Sequence, residues 1–180
     1  MSISPTDSYK RLIELFTNRY SCRDFNPDKE VPRSMVEEVV EGARLAQSAV
    51  NRQPWTFVAV TDPALRSVLL AKSRPAFMQA PVLLVACGHH DQAWHRPADN
   101  KDHTDVDLAI AIENICLSAA ALGLGCCWVC SFDFESTAQA LGLPENVEPV
   151  ALIPLGYAAT DDIPPKNRKS LDEILRWEKF

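Results

Sequence analysis

Arg19-Tyr20-Ser21-Cys22-Arg23, followed in the next element by Gln47-Ser48-Ala49-Val50-Asn51-Arg52-Gln53-Pro54-Trp55, is the part of the sequence on which the fold turns. Alternate residues of an extended backbone share a face, so Arg19, Ser21 and Arg23 would project together. Such a face can grip a phosphate and a second electron-rich group of one small molecule, because the guanidinium fork is permanently charged and bidentate. Taken alone, the segment also reads as a solvated basic turn at a helix end, where cations complement the helix dipole. The second stretch is a polar turn running into a strand. Pro54 excludes helical geometry at Gln53, which predicts an extended backbone presenting that amide.

Working outward, Ser4 and Pro5 open a helix with Leu12, Ile13, Leu15 and Phe16 on its apolar face. A second helix begins near Pro32, with Ser34 and Glu37 at capping-box spacing and Val36, Val39, Val40 and Ala43 at helical period. Residues 55–60 read as a strand, 62–70 as a short helix, and 81–87 as a central strand covered on both faces. The polar stretch 88–103 reads as a surface loop. Thr104 and Asp107 are the expected caps of a long helix through Leu122, closed by Gly123-Leu124-Gly125. Residues 126–132 read as a strand, 133–141 as a helix stopped by Gly142, and 147–155 as the last strand. A basic, Pro-rich tail leads to a terminal helix opened by Ser170 and Glu173. About four strands and six helices give an α/β or α+β domain on periodicity alone.

The 180 residues suit one domain, 1–180, with an ordinary core. A net charge of −6 argues against nucleic acid as the main partner. The N-terminus has no signal-peptide pattern, and the apolar stretch 106–130 is interrupted by Asp107, Glu113 and Asn114. A cytoplasmic protein with no membrane partner and reduced cysteines is therefore expected. Cys87, Cys116 and Cys126 read as small core residues. His89, His90, His95 and His103 mix with four aspartates but lack ligand spacing, so no metal is expected. A solvated lid, with Trp94 and His95 touching substrate, is the reading for this loop. No Gly-rich dinucleotide fingerprint follows a strand, which argues against a Rossmann dehydrogenase.

Two further stretches complete the pattern: Gly123 to Phe132, and Ile153 to Ala158 with Lys166-Asn167-Arg168-Lys169. The order and spacing of all four resemble the FMN-dependent nitroreductase family, especially its shorter members, over most of the chain. The resemblance implies an α+β fold: a three-layer α/β/α sandwich with a mainly antiparallel sheet, in a homodimer that exchanges C-terminal segments. It implies FMN held by Arg19, Tyr20, Ser21 and Arg23, by Lys166 and Arg168 at the phosphate, and by Trp128, Val129, Cys130 and Ser131 beside the ring. Gln47, Ser48, Ala49, Asn51 and Gln53 would reach the flavin of the other subunit. Gln47 stands where the family usually has Pro, and Cys130 where many members have Gly or an acid. A further pyrimidine contact would fall to Ser73 or Arg74.

The implied activity is ping-pong: NADH or NADPH delivers hydride to flavin N5, and a small electron acceptor such as a nitroaromatic or quinone then takes its place. Arg23 and Cys130 are the candidate catalytic residues. Arg23 would stabilise negative charge on the reduced ring, and Cys130 would set a thiol near its reactive edge. A flavin-binding protein without turnover, serving storage, sensing or degradation, is the main alternative. A metal-dependent hydrolase using the His/Asp loop is a third.

Overall fold

Val82, Leu84 and Ala86 of strand β2 (Val82–His89) join one buried cluster, while Leu83, Val85 and Cys87 join another. That alternation explains a continuous apolar run: both faces of the strand are covered. The computed structural model describes residues 4–180. In it β2 pairs antiparallel with β1 (Trp55–Val60) on one side and β4 (Val147–Gly156) on the other. β3 (Gly125–Cys126) pairs with β4, giving the order β1-β2-β4-β3.

Helices α2 (Arg33–Arg44) and α4 (Thr104–Ala121) cover the first face with Val36, Val39, Leu108, Ile112 and Ile115. The opposite face receives Leu69 of α3 (Pro63–Leu69), Phe77 of a 3-10 turn, and Phe25, with α5 (Phe134–Leu141) beyond them. The result is the expected α/β/α sandwich on an antiparallel sheet. Helix α1 (Pro5–Asn18) is capped by Ser4, yet none of its residues is buried. Its apolar face, with Tyr9, Leu12, Ile13 and Phe16, stands open in the single chain. No described helix is long and apolar enough to cross a membrane.

Local expectations fail in three places. Pro32, rather than a Ser34–Glu37 capping box, precedes α2, and Glu37 instead pairs with Arg33 at 2.8 Å. At the start of α4, Asp102 accepts from the amide and hydroxyl of Thr104, both at 2.6 Å, while Asp107 turns away from the helix end. The strand expected over 126–132 shrinks to Gly125–Cys126 and one bridge from Val129 to Leu152. Pro154 is the cause: its carbonyl accepts from Cys127 at 3.3 Å, but it has no N–H to return. The terminal helix α6 (Leu171–Ile174) forms where expected, as a single turn opened by Ser170, with Glu173 accepting from the amide and hydroxyl of Ser170.

Candidate functional site

Arg19 ends α1 with extended dihedrals (φ −61°, ψ 128°), its amide still donating to Leu15. The chain then runs beside β3: Ser21 bridges Cys126 in parallel, and the Cys22 amide donates to the Cys126 carbonyl at 2.9 Å. Cys22 is buried, Arg19 and Ser21 are half-buried, and Arg23 is exposed. Gly125 permits this approach, because a Cβ there would lie 2.7 Å from both Cβ and Sγ of Cys22. Tyr20 is half-buried, and burial, aided by Cys22, pushes its phenol up to about 12.

The tail returns to this segment. Lys166 Nζ donates to the Arg19 carbonyl, and Arg19 Nε lies 3.6 Å from Glu113 Oε1. Desolvation lowers the Lys166 ammonium pKa, as do the charges of Arg19 and then Arg168, against the opposing pull of Glu113. Lys166 therefore sits in the field of two further cations, Arg19 and Arg168, with Glu113 beside Arg19, a surplus of positive charge suited to an anion.

On the other flank, α4 gives way to Gly123, whose φ of +75° turns the chain toward β3. Val129 exchanges two 2.9 Å hydrogen bonds with Leu152. Strand alternation therefore directs the neighbouring Trp128 and Cys130 amides away from β4. The Trp128 indole N–H is buried without an acceptor among the described residues. Cys130 and Ser131 are exposed, and the Ser131 carbonyl accepts from Ser73 at 3.4 Å. Burial pushes the Cys127 thiol up, and the nearby Arg23 charge pulls it back. A cavity of about 290 Å³ runs between Ser21, Arg23, Arg74, Thr160 and Asp162. Residues 19–23, 73–74, 126–131 and 166 thus form one continuous region.

No hydrogen bond or ion pair among the described residues ties the 47–53 turn to that region. Gln47, Asn51 and Gln53 are exposed, while Ser48 and Ala49 are half-buried. Ala49–Asn51 form a 3-10 turn with Val50 and Asn51 left-handed (φ 53° and 57°). Gln53, expected in an extended backbone, is also left-handed (φ 51°). Pro54 excludes only the right-handed helical region, and local bonds choose among the rest. The Gln53 amide donates to Ser48 Oγ at 2.9 Å, its carbonyl accepts from Trp55 at 2.8 Å, and its Nε2 donates to Asn51 Oδ1 at 3.1 Å.

The stretch 88–103 is pinned rather than irregular. His90 contacts Asp102 at 2.6 Å and Glu148 at 2.9 Å, and the Trp94 and His103 rings meet edge-on at 4.8 Å. Asp102 raises the His90 pKa above the ordinary histidine value, burial opposes, and Glu148 adds to the rise. Burial raises the Asp102 carboxyl, but Thr104 and His90 outweigh it and hold the group at about 2. Among the described residues no three His, Cys, Asp or Glu side chains are grouped to hold a metal ion. Sequence reasoning missed Asp107, read as a helix cap; only a contact 58 residues away in the chain reveals its partner.

The nitroreductase family profile matches residues 16–77 and 68–157, a span containing every candidate segment except the basic tail. An NADH dehydrogenase of Thermus thermophilus is 30% identical over 190 residues, with 88% of this chain and 92% of that protein covered. An oxygen-insensitive NADPH nitroreductase of Helicobacter pylori is 28% identical over 201 residues, covering 91% and 95% respectively. A solved nitroreductase family protein from Clostridium difficile 630 has a TM-score of 0.82 at 31% identity, over 93% of this chain and 98% of its own. With the profile spanning most of the sequence and the sandwich shared with solved relatives, the chain belongs to the nitroreductase family.

Proposed function

We propose that the protein is an FMN-dependent NAD(P)H oxidoreductase that reduces nitroaromatics, quinones or related small acceptors. The observation that carries this reading is the convergence of Arg19 and Arg168 on Lys166, with Glu113 beside Arg19, next to Ser21 and the 126–131 segment. These residues fit a flavin mononucleotide. Its phosphate matches the surplus of cations, and its flat, acceptor-rich ring matches the buried indole N–H and the outward amides of Trp128 and Cys130. When bound, FMN supplies two-electron chemistry between a nicotinamide and an acceptor that use one pocket in turn.

The chain's own residues bind and orient. Arg19, Lys166 and Arg168 hold the phosphate, and Ser21 holds the ribityl chain. Arg23 lies along the pyrimidine edge, where its fixed charge favours negative charge on the ring. Ser73 or Arg74 complete that edge, and Cys130 faces the side where substrates enter.

A second copy of the chain completes the site. Three features support a homodimer with exchanged C-terminal segments. α1 leaves an apolar face open, α6 and the residues after it expose Leu171, Ile174 and Trp177, and β1 is a free sheet edge. Between β1 and α2 a groove of about 930 Å³, lined by Val36, Val40, Trp55 and Phe57, receives the partner's tail. The 47–53 turn, which makes no hydrogen bond or ion pair to the cation cluster of its own chain among the described residues, then serves the partner's flavin.

Purification followed by anaerobic addition of NADH or NADPH tests the reading. The expected result is a yellow dimer whose flavin band bleaches with a nicotinamide and recovers with a nitroarene or quinone. Bound flavin that never bleaches would instead indicate a flavin-binding protein without turnover. A monomer that takes up no FMN on reconstitution would overturn the proposal.

A further inference from the structure

Asp107 is the buried acid for which the proposed chemistry has no use. It lies on the first turn of α4 at 2% exposure. Its Oδ1 accepts from the Ala49 amide at 2.9 Å, while Oδ2 is buried without a partner among the described residues. Leaving a buried oxygen unpaired costs stability, which one bond to an amide does not clearly offset. A buried orphan of this kind calls for an explanation beyond packing.

The partner of Oδ1 supplies one. Ala49 opens a turn in which Val50, Asn51 and Gln53 all have left-handed backbones without being glycine. For the β-branched Val50 this is a true outlier. Strained conformations persist only where their surroundings over-determine them, and they collect at functional sites. Within the turn, the Ser48 carbonyl accepts from Asn51 at 3.0 Å and Ser48 Oγ from Gln53 at 2.9 Å. Those bonds give the turn its shape but do not anchor it. At its far end, Pro54 accepts from His89 of β2 at 2.9 Å. At its near end the anchor is Asp107, carried on a helix whose Leu108, Ala111 and Ile112 are fully buried.

We infer that Asp107 is a positioning residue: its carboxyl holds the Ala49 amide against α4 and so sets the direction in which the strained turn presents Asn51 and Gln53 to the flavin. The hold on the turn stands on this structure alone. The benefit to flavin binding rests on the FMN reading proposed above.

Asp107→Ala, Asp107→Leu and Asp107→Asn in the full chain test the inference, with two separate readouts. The first is amide hydrogen exchange. In wild type the Ala49 amide is expected to be more protected than exposed neighbours in the same turn. Asp107→Ala should speed exchange across 48–53 and leave β2 and β4 unchanged. The second is FMN affinity of the deflavinated protein, expected to weaken about tenfold, the effect of one lost orienting hydrogen bond. Asp107→Leu, which keeps the buried volume, should behave like Ala. Asp107→Asn, which keeps a carbonyl acceptor, should restore both readouts. An unprotected Ala49 amide in wild type overturns the inference even if the Ala and Leu variants do not fold. Loss of turn protection with unchanged FMN affinity also overturns it, while leaving the flavin reading intact. A wild type that binds no FMN sinks the flavin reading, and exchange still decides whether Asp107 holds the turn.

Discussion

Lys166 donates its ammonium to the backbone carbonyl of Arg19, 147 positions earlier in the chain. That contact closes the basic tail over the end of α1 and brings Arg168 into the field of the same group. Arg19 and Arg168 repel the Lys166 ammonium while Glu113 attracts it, so an anionic ligand relieves the repulsion. Replacing both Lys166 and Arg168 by Ala should weaken FMN binding by about 100-fold, on the scale of two charge-assisted contacts. Fluorescence titration at low and high salt is the check, and wild-type affinity in the double variant would remove the tail from the site.

Arg23 has a different role to test. Among the described residues its Nη1 reaches only the Ser21 carbonyl, at 3.3 Å, and its charge is felt at Cys127 in the 126–131 segment. Arg23→Ala should leave FMN bound and lower its midpoint potential by about 30 mV, equivalent to ~1.4 kcal/mol for a two-electron couple. Spectroelectrochemistry reads this directly; an unshifted potential rules out the electronic role.

His90 couples the 88–103 loop to pH. Its two carboxylate contacts raise the folded-state pKa above the unfolded value of 6.5. The resulting stability is complete below that value and is lost as pH rises through the folded pKa. His90→Gln should therefore lower Tm by ~2 °C near about pH 5.5, a small effect because the pair is partly exposed, and by nothing near about pH 9. Equal losses at both pH values would mean that the histidine acts by shape rather than charge.

Among the six cysteines Cys130 alone is exposed. Burial pushes the Cys87 thiol up to about 11 and raises that of Cys22 as well, which suppresses the reactive thiolate. Brief alkylation of the native protein, read by mass spectrometry, should modify Cys130 only. Saturating FMN should slow that reaction if Cys130 lies at the mouth of the pocket, and equal rates with and without FMN would place it elsewhere.

Gly125 is the close-approach point between β3 and the 19–23 segment. Gly125→Ala would press a methyl carbon onto Cys22 and should cost about 1–3 kcal/mol in urea unfolding, typical of overpacking. FMN affinity should fall with it, because Ser21 is carried on the same seam, which the Cys22 amide closes onto the Cys126 carbonyl. A variant as stable as wild type would show that the seam yields without strain.

The sandwich was largely readable from the chain. Alternating and continuous apolar runs mark β1, β2 and β4, and period-3.6 patterns mark α2 and α4, because burial on one or two faces leaves a local record in residue order. Limits set by a distant partner left no such record. Pro154 cuts β3 short from another strand, and Asp102 binds Thr104 just ahead of α4 where Thr104 and Asp107 were the expected caps. The apolar face of α1 is legible in sequence, but that it is uncovered in a single chain is not.

The candidate site divides along the same line. The residue order alone indicated Arg19, Ser21 and Arg23 on a shared face, a polar turn ending at Pro54, and a basic tail, since side-chain chemistry and strand period are local properties. Only the tertiary structure brought Lys166 onto Arg19, set Ser73 against Ser131, turned Gln53 left-handed and tied Ala49 to Asp107. Each of these depends on hydrogen bonds that close the chain upon itself or join segments far apart in it, and residue order does not encode which donors and acceptors will meet once the apolar faces are buried.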